Sequence, residues 1–456
     1  MKKFDLKIVN GDLATSAGVF KVDIGLSQGK IAAIGQRGSL PEAEEVLEAK
    51  GKVILPGGID THVHAADPGL DEMGIDFSVT TGAAALGGVT TIVDMPMQFP
   101  PTTDPDSFDL KMNSIRPKAY VDFALWATCK PDDIASIVPL KEKGIVGYKL
   151  VMQESVEGIM PYHDDGVLYE ALAEINKTGL VTTVHAESQE MILHLEKKLK
   201  AEGRTDPAVF LDTHPPITEL EAIHRVLFIA NRLKSRINIA HCSQADGVDL
   251  VTQARLAGQA VTVETCIHYL TLDNSIFKTK GALAKLAPAL RDKSQVEGLW
   301  QRIQQSRVDC VASDHVPYPL QFKSNDIWET AAGSPGIQTM FPLLITEGIK
   351  KGRISFPQMV KVMSEGPAKV VGLYPTKGSV VIGADADLAI FDLQDEREIK
   401  LEEQLGLEWT LYEGLKAVYP DVVLVRGEMV VKDGQLVGKK GYGRFCSPQT
   451  NSPARL

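Results

Sequence analysis

The sequence predicts an α/β protein that combines a (β/α)8 TIM-like barrel with a small β-sandwich domain formed by both chain termini. Eight short apolar segments recur through the middle of the 456-residue chain, and amphipathic segments such as DGVLYEALAEINKTG separate them. This alternation is typical of a parallel sheet buried on both faces, and eight consecutive units favour a closed barrel over an open sheet. Both ends of the chain instead show brief strands closed by turns, which indicates a second domain.

The eight apolar segments are the predicted barrel strands. In chain order they are residues 57–64, 90–96, 120–127, 146–152, 180–187, 236–243, 260–270 and 308–315. Each is nearly continuous in apolar residues, as expected for a strand that is covered on both faces. We assign residues 56–375 to the barrel, which carries the candidate catalytic residues described below.

The two ends of the chain share one pattern. The segments FDLKIVNG, KVDIGLS and KIAAIG lie near the start, and DVVLVRGEMVVKDGQLVG lies near the end. They are short, partly alternating and rich in Gly at their ends, as strands joined by tight turns are. We therefore expect residues 1–55 and 376–445 to form one β-sandwich domain and residues 446–456 to form a C-terminal tail.

Composition excludes several classes of protein. The formal net charge of −11 argues against nucleic acid or an anionic membrane as a partner, because both require a basic surface. The chain has no apolar run near the ~18 residues of a membrane span, and MKKFDLKIVNGD lacks the apolar core of a signal peptide. Five dispersed cysteines without a CxxC pair are typical of reduced thiols. We expect a cytoplasmic protein.

Metal-ligating residue types stand where the predicted strands end. His62 and His64 end the first strand, His185 the fifth, His241 the sixth and Asp314 the eighth. Barrel chemistry gathers at the C-terminal ends of the strands, and residues two apart in a strand point to the same side. A lone His-x-His pair is usually a satisfied or surface pair. Several compatible strand ends in one barrel favour a site for zinc, manganese, cobalt or iron.

Lys149, near the end of the fourth strand, needs a separate argument because an ammonium group is a poor metal ligand. Burial disfavours the charged form of lysine, and a neutral amine can take up CO2 to become a carbamate. The carbamate is an anionic ligand with two oxygens that can bridge two metals. The alternative is a lysine that reaches solvent. We favour the carbamate because four histidines and an aspartate accompany the lysine.

These segments, in their order, resemble the cyclic amidohydrolases of the amidohydrolase superfamily: hydantoinases, dihydropyrimidinases, allantoinases and dihydroorotases. The motifs that carry the resemblance run from PGGIDTHVH through GGVTTIVDMP, VGYK, VHAES, AHCS, VETCIHYL, KLAPALRD and ASDHVPY to GPAKVVGLYPTKGSVVIGADADLAIFD. The resemblance implies two divalent metal ions, most often Zn2+ but also Mn2+ or Co2+, joined by a bridging hydroxide. It also implies a homotetramer.

The resemblance assigns roles to the six strand-end residues. One metal is held by His62, His64, Lys149 and Asp314, and the other by Lys149, His185 and His241. Lys149 is N6-carboxylated by CO2 in this scheme. Asp314 is the general base that takes the proton of the hydroxide and delivers it to the leaving ring nitrogen, because an amide nitrogen leaves poorly without a proton.

Departures from the motifs bear on the substrate. Ala66 stands where dihydroorotases carry an Arg, and Ser155 stands where dihydropyrimidinases and D-hydantoinases carry a Tyr. DMPMQFPPTT resembles L-selective hydantoinases, whereas VETCIHYL and KLAPALRD resemble allantoinases. DPGLDEMG and Gln98 depart from the usual allantoinase residues. We expect a hydantoinase that opens 5-substituted hydantoins to N-carbamoyl amino acids. Allantoinase is the alternative, followed by dihydropyrimidinase or a non-catalytic assembly protein.

Further substrate contacts are expected from the resemblance. They are Ser155 as an oxyanion donor, Thr265 through its backbone, His315 as an orienting group, and Gln98. Apolar residues near the predicted mouth would suit the 5-substituent or pack within the barrel: Met73, Met97, Phe99 and Met152. The segment 405–420 departs from the family pattern, which is expected to alter the mouth or a subunit contact.

Overall fold

A computed structural model describes residues 3–70, 76–154 and 160–449, and two sheets organise this part of the chain. The strands are β1 (Phe4–Val9), β2 (Asp12–Thr15), β3 (Gly18–Ser27), β4 (Lys30–Gln36), β5 (Ala43–Glu48), β6 (Val53–Pro56), β7 (Gly58–Val63), β8 (Val89–Asp94), β9 (Asp122–Ala127), β10 (Gly147–Val151), β11 (Val181–His185), β12 (Ile237–Ile239), β13 (Val261–Cys266), β14 (Cys310–Ala312), β15 (Leu388–Glu398), β16 (Lys416–Val425), β17 (Glu428–Lys432) and β18 (Gln435–Leu436).

The strands β7 to β14 form a parallel barrel in which each strand pairs with the next one along the chain. Backbone bonds between the last and first strand ends complete the ring, since the His64 amide donates to the His315 carbonyl at 2.9 Å. Every residue of these eight strands is buried. Side chains fill the inside and helices cover the outside, which explains the continuous apolar segments of the sequence. The predicted fold class is confirmed.

Helices follow the barrel strands and cover them. They are α1 (Phe77–Leu86), α2 (Pro105–Ile115), α3 (Ile137–Lys141), α4 (Asp165–Asn176), α5 (Gln189–Ala201), α6 (Val209–Thr213), α7 (Pro216–Leu233), α8 (Ala245–Leu256), α9 (Ile267–Thr271), α10 (Phe277–Lys280), α11 (Lys293–Gln304), α12 (Ile337–Leu344), α13 (Phe356–Val360) and α14 (Gly366–Val370). Among the described residues, none of these helices combines the length and apolar character needed to cross a bilayer.

Local sequence explains where several helices begin. The Asp104 carboxylate accepts a hydrogen bond from the Ser107 amide at 2.8 Å, which caps the first turn of α2. Pro216 occupies the first turn of α7, where its missing N–H is not needed.

The seventh barrel strand ends earlier than predicted, because the residues that follow Cys266 form α9 and do not continue the strand. A short apolar run does not by itself distinguish a buried strand from a buried helix.

The second sheet joins both ends of the chain. Strand β6 pairs with β2 on one side and antiparallel with β15 on the other, so the C-terminal strands form one side of a ten-stranded sheet and the N-terminal strands form the other. The first residues of the predicted tail contact the barrel: the Cys446 amide donates to the Phe123 carbonyl at 2.7 Å, and the Gln449 amide donates to the Gly372 carbonyl at 3.0 Å. Residues 450–456 lie outside the described part of the chain.

A buried ionic cluster joins the terminal sheet to the barrel. The Lys377 ammonium lies 2.6 Å from the Asp387 carboxylate and 3.0 Å from that of Asp385, and it also contacts Asp122 at the start of β9. The Arg426 guanidinium contacts Asp122 from the other side. Because buried charges are tolerated only when paired, this cluster ties the two sheets to one another in a defined position.

Candidate active site

Six of the predicted site residues lie at the C-terminal ends of the barrel strands. His62, Lys149 and His185 belong to β7, β10 and β11. His64, His241 and Asp314 follow the ends of β7, β12 and β14 within two residues. This placement follows from the alternation of a strand, because two histidines separated by one residue project to the same side.

The structure brings these six residues into one cluster. The Asp314 carboxylate lies 3.4 Å from Nε2 of His62 and 3.4 Å from Nε2 of His64. The Lys149 amine lies 3.3 Å from Nε2 of His62. The His241 ring centroid lies 5.1 Å from that of His62 and 4.6 Å from that of His185. Residues from five strand ends therefore converge on one small volume.

The backbone at two of these positions is strained. Asp314 has a φ of 46° and His241 has a φ of 34°, both in the left-handed region that residues with a Cβ rarely adopt. Such a conformation costs of order 1–3 kcal/mol and persists only where the surroundings impose it. Here Asp60 accepts hydrogen bonds from the Ser313 amide and hydroxyl, which holds the turn before Asp314. Strain of this kind is typical of functional sites.

Two buried carboxylates that the sequence analysis did not single out orient the histidines. The Glu264 carboxylate lies 2.8 Å from Nδ1 of His62, and the Glu187 carboxylate lies 2.9 Å from Nε2 of His185. A carboxylate only accepts, so each histidine donates through that nitrogen and keeps a lone pair on the other. This arrangement is typical of metal-binding histidines. The sequence did contain an indication for Glu264, because an acidic residue is unusual within an apolar strand such as VTVETC.

The protonation states suit metal ligands. Burial lowers the pKa of His62, and it lowers that of His241 well below the ordinary value, so both imidazoles are neutral. Burial also lowers the pKa of Lys149 to about 8. Burial alone would raise the pKa of Asp314, but the neighbouring histidines His62 and His64 lower it well below its usual range. The carboxylate is therefore ionised.

The cluster fits a divalent cation. His62, His64 and Asp314 place one possible ligand atom each within 4.8 Å of one another. Nδ1 of His241 and Nδ1 of His64 are buried and have no hydrogen-bond partner among the described residues. Neutral imidazoles with a carboxylate are the donor set that zinc and similar ions prefer. The side chains available at the strand ends could hold metal.

All six residues of the cluster line a cavity of about 330 Å3, and we call this part of the lining its floor. One wall is mainly apolar and consists of Met97, Val151, Met160, Val316 and Tyr318. A second group of lining residues, the second wall, mixes aromatic and polar side chains and consists of Phe210, Thr213, His214, Lys285 and Trp328. The sequence analysis had not identified the second wall.

Three other residues predicted to contact substrate, Gln98, Thr265 and His315, are not among the described residues that line the cavity, and their roles stay predictions. The Gln98 amide is buried, with its oxygen accepting from the Lys111 ammonium at 3.0 Å. The Thr265 hydroxyl donates to the Cys242 carbonyl at 2.8 Å. Nδ1 of His315 accepts from the Gly336 amide at 3.1 Å. These side chains are engaged within the protein and are absent from the described lining of the cavity.

Two predicted residues, Ser155 and Met73, lie outside the described residues. Of the other apolar residues predicted near the mouth, Met97 lines the cavity, Met152 is buried and Phe99 is exposed. The unusual segment 405–420 packs behind the cavity wall: the Trp409 indole donates to the Tyr318 carbonyl at 2.7 Å, and Tyr318 lines the cavity. The segment therefore supports the mouth of the barrel.

Comparison with known proteins gives consistent matches along the chain. The model of a family described as Amidohydrolase family matches residues 53–439. The chain is 35% identical over 449 residues to the L-hydantoinase of Paenarthrobacter aurescens, which covers 97% of this chain and 98% of that protein. It is also 35% identical over 465 residues to the allantoinase of Rubrobacter xylanophilus, covering 100% of both.

A solved structure matches the arrangement of both sheets. The L-hydantoinase (dihydropyrimidinase) from Arthrobacter aurescens superposes with a TM-score of 0.95 at 35% identity, over 97% of this chain and 100% of that one. The dihydropyrimidinase from Brevibacillus agri superposes with a TM-score of 0.91 at 31% identity, over 99% and 100%. The similarity therefore extends through the barrel and the terminal sheet alike.

Proposed function

The chain belongs to the amidohydrolase family, and we propose that it opens the ring of 5-substituted hydantoins to give N-carbamoyl amino acids. It is a hydrolase that acts on cyclic amides. The observation that carries the proposal is the floor of the cavity, where six possible metal ligands meet in a chain that resembles an L-hydantoinase over nearly its full length. An inactive family member would have no need of all six.

We assign two divalent ions to this floor, most often Zn2+, with Mn2+ or Co2+ able to replace it. His62, His64, Lys149 and Asp314 would hold the first ion, and Lys149, His185 and His241 would hold the second. When bound, the ions supply Lewis acidity toward the amide carbonyl and lower the pKa of water. Glu264 and Glu187 keep the histidine tautomers that present lone pairs to the ions.

Lys149 joins the two halves of the site if its amine carries CO2 as a carbamate. The amine is buried 3.3 Å from His62, and an uncharged amine is the form that reacts with CO2. A cation between two sets of ligands would repel metal, whereas the carbamate is anionic and offers two oxygens. The proposal of N6-carboxylation thus rests on the position of Lys149 and on its burial.

Asp314 is the proposed general base. Its carboxylate is ionised, lies beside Nε2 of His62 and His64, and borders the cavity. It accepts a proton from the attacking water and delivers the same proton to the ring nitrogen as the C–N bond breaks. The other proton of the water is released to solvent, so the product carries a new carboxylate and a neutral carbamoyl group.

Allantoin is the second candidate substrate, because the chain is also 35% identical to an allantoinase along its whole length. Allantoin is a 5-ureidohydantoin, so the same bond would break. Purified protein should be assayed in parallel with 5-benzylhydantoin, allantoin, dihydrouracil and dihydroorotate. Metal content and oligomeric state should be measured on the same sample. We propose that the oligomer is a homotetramer. Turnover of dihydrouracil or dihydroorotate alone would contradict the proposal, as would a metal-free protein that opens hydantoins.

A further inference from the structure

A buried histidine lines the cavity without belonging to the cluster on its floor. His214 follows α6 and is only 4% exposed, yet it borders the cavity beside Phe210 and Thr213. Pro215 follows it directly, which restricts the backbone of His214. The Arg291 guanidinium donates to the His214 carbonyl at 2.6 Å. The position of this residue is therefore well defined.

The hydrogen bonds of His214 determine which nitrogen carries the proton. Nδ1 lies 3.3 Å from the Phe210 carbonyl and 2.8 Å from the Thr213 hydroxyl oxygen. The Thr213 hydroxyl itself donates to the Phe210 carbonyl at 2.8 Å, so its oxygen is free to accept. A carbonyl only accepts, and Nδ1 must therefore carry the hydrogen. Nε2 is left with a lone pair.

That lone pair has no partner among the described residues. Burial lowers the pKa of His214 to about 4, so the ring stays neutral and Nε2 stays an acceptor at neutral pH. The Phe210 ring packs on the imidazole with centroids 4.1 Å apart and holds its plane. An unpaired buried acceptor beside a cavity is costly unless a bound molecule donates to it.

The position of His214 indicates which part of a substrate it would meet. The reacting amide must reach the floor, where the strand ends place their side chains. His214 comes from the loop region between β11 and α7 and belongs to the wall with Phe210, Lys285 and Trp328. With the ring on the floor, the 5-substituent extends along the walls.

We propose that His214 is a substrate-binding residue whose Nε2 accepts a hydrogen bond from an N–H group on the 5-substituent. This inference rests on the proposed function and narrows it to hydantoins whose substituent carries an amide or ureido group. Lys285 adds a donor to the same wall, with its ammonium 2.8 Å from the Ile327 carbonyl and 5.5 Å from the Phe210 ring. A ureido group offers the matching N–H and carbonyl.

Two isosteric substrates test this assignment: allantoin and 5-isobutylhydantoin. Their substituents have the same number of non-hydrogen atoms and the same branching, but only the ureido group has N–H. Replacing His214 with Phe keeps an aromatic ring and removes the acceptor, whereas His214→Gln keeps a carbonyl acceptor. The control is His224→Phe, because His224 is an exposed histidine on α7.

The measured quantity is the ratio of kcat/KM for allantoin to that for 5-isobutylhydantoin. If only allantoin turns over, the quantity is the inhibition constant of the isobutyl compound divided by the KM of allantoin. His214→Phe should lower the ratio about tenfold, mainly through a higher KM for allantoin. His214→Gln should restore part of the ratio, and His224→Phe should not change it.

Three results would overturn the assignment. The ratio could be unchanged in His214→Phe, both substrates could lose activity in parallel, or the wild-type protein could open 5-isobutylhydantoin and reject allantoin. The last result leaves the proposed function intact. Wild-type protein that opens neither compound nor 5-benzylhydantoin refutes the proposed function, and this inference is then refuted with it.

Discussion

Replacing Glu264 with Gln tests whether the metal site depends on its supporting carboxylate. The Glu264 carboxylate accepts from Nδ1 of His62 at 2.8 Å, from the Thr61 hydroxyl at 2.5 Å and from the His241 amide at 3.3 Å. Gln has nearly the same shape, but one of its two terminal atoms becomes a donor. At least one of these three contacts must then be lost or reversed.

The expected loss can be estimated from the contact with His62. A hydrogen bond to a charged group contributes roughly 1.5–3 kcal/mol, which corresponds to about 10- to 150-fold. If the new amide donates to Nδ1 of His62, the imidazole proton moves to Nε2, the nitrogen that faces Asp314 and Lys149. A histidine protonated there does not bind metal. Replacement of such supporting residues typically costs ~10- to 100-fold in metal affinity or activity.

The assay is metal content per chain after dialysis against a graded series of chelator concentrations, followed by kcat/KM on the best hydantoin. Glu264→Gln should release metal at about tenfold lower chelator concentration than the wild type. The matched control is Glu347→Gln, since Glu347 pairs with Lys351 and contacts neither the proposed ligands nor the loops that carry them. If Glu264→Gln retains metal and turnover within twofold of the wild type, the supporting role is refuted.

Three further predictions concern the cluster and the ionic contact between the two sheets. Lys149→Ala should lose bound metal and turnover, and millimolar short carboxylic acids should restore part of both; near-native turnover without such acids excludes the carbamate. Asp314→Asn should lower kcat by about 10²–10⁴ while circular dichroism stays unchanged, and a loss below tenfold would indicate a different base. Lys377→Met should lower the free energy of unfolding by roughly 3–5 kcal/mol in urea, because it leaves buried carboxylates without their cation. Adding Asp387→Asn to that variant should recover part of the loss, and equal stability of Lys377→Met and wild type would show that Arg426 alone balances the cluster.

The barrel and the cluster of possible metal ligands on the floor of its cavity could be predicted from local pattern. Strand alternation places His62 and His64 on one side, and the strand–helix rhythm predicts that the ends of parallel strands meet at one face. Each of the six cluster residues needs only its own strand end to be placed correctly. The cluster then follows from the closure of the barrel.

The surroundings of the predicted substrate contacts could not be derived from local pattern in the same way. Gln98 and His315 stand near the site in sequence, but their side chains bond to Lys111 and to the Gly336 amide. Whether a side chain enters a cavity depends on its neighbours from other elements. A resemblance between motifs does not contain that information.

The sequence by itself determined the fold class and the six residue types at the strand ends, because both follow from periodicity within segments of about ten residues. Only the tertiary structure decided which groups support them and what lines the cavity. Glu264 contacts His62 although 202 positions of the chain separate them. The hydrogen bonds that place the proton of His214 on Nδ1 come from the end of its own helix, whereas the other residues that line its cavity come from distant segments of the chain. Such pairings depend on how the barrel closes and how its loops pack, and no local pattern encodes a contact between segments that far apart.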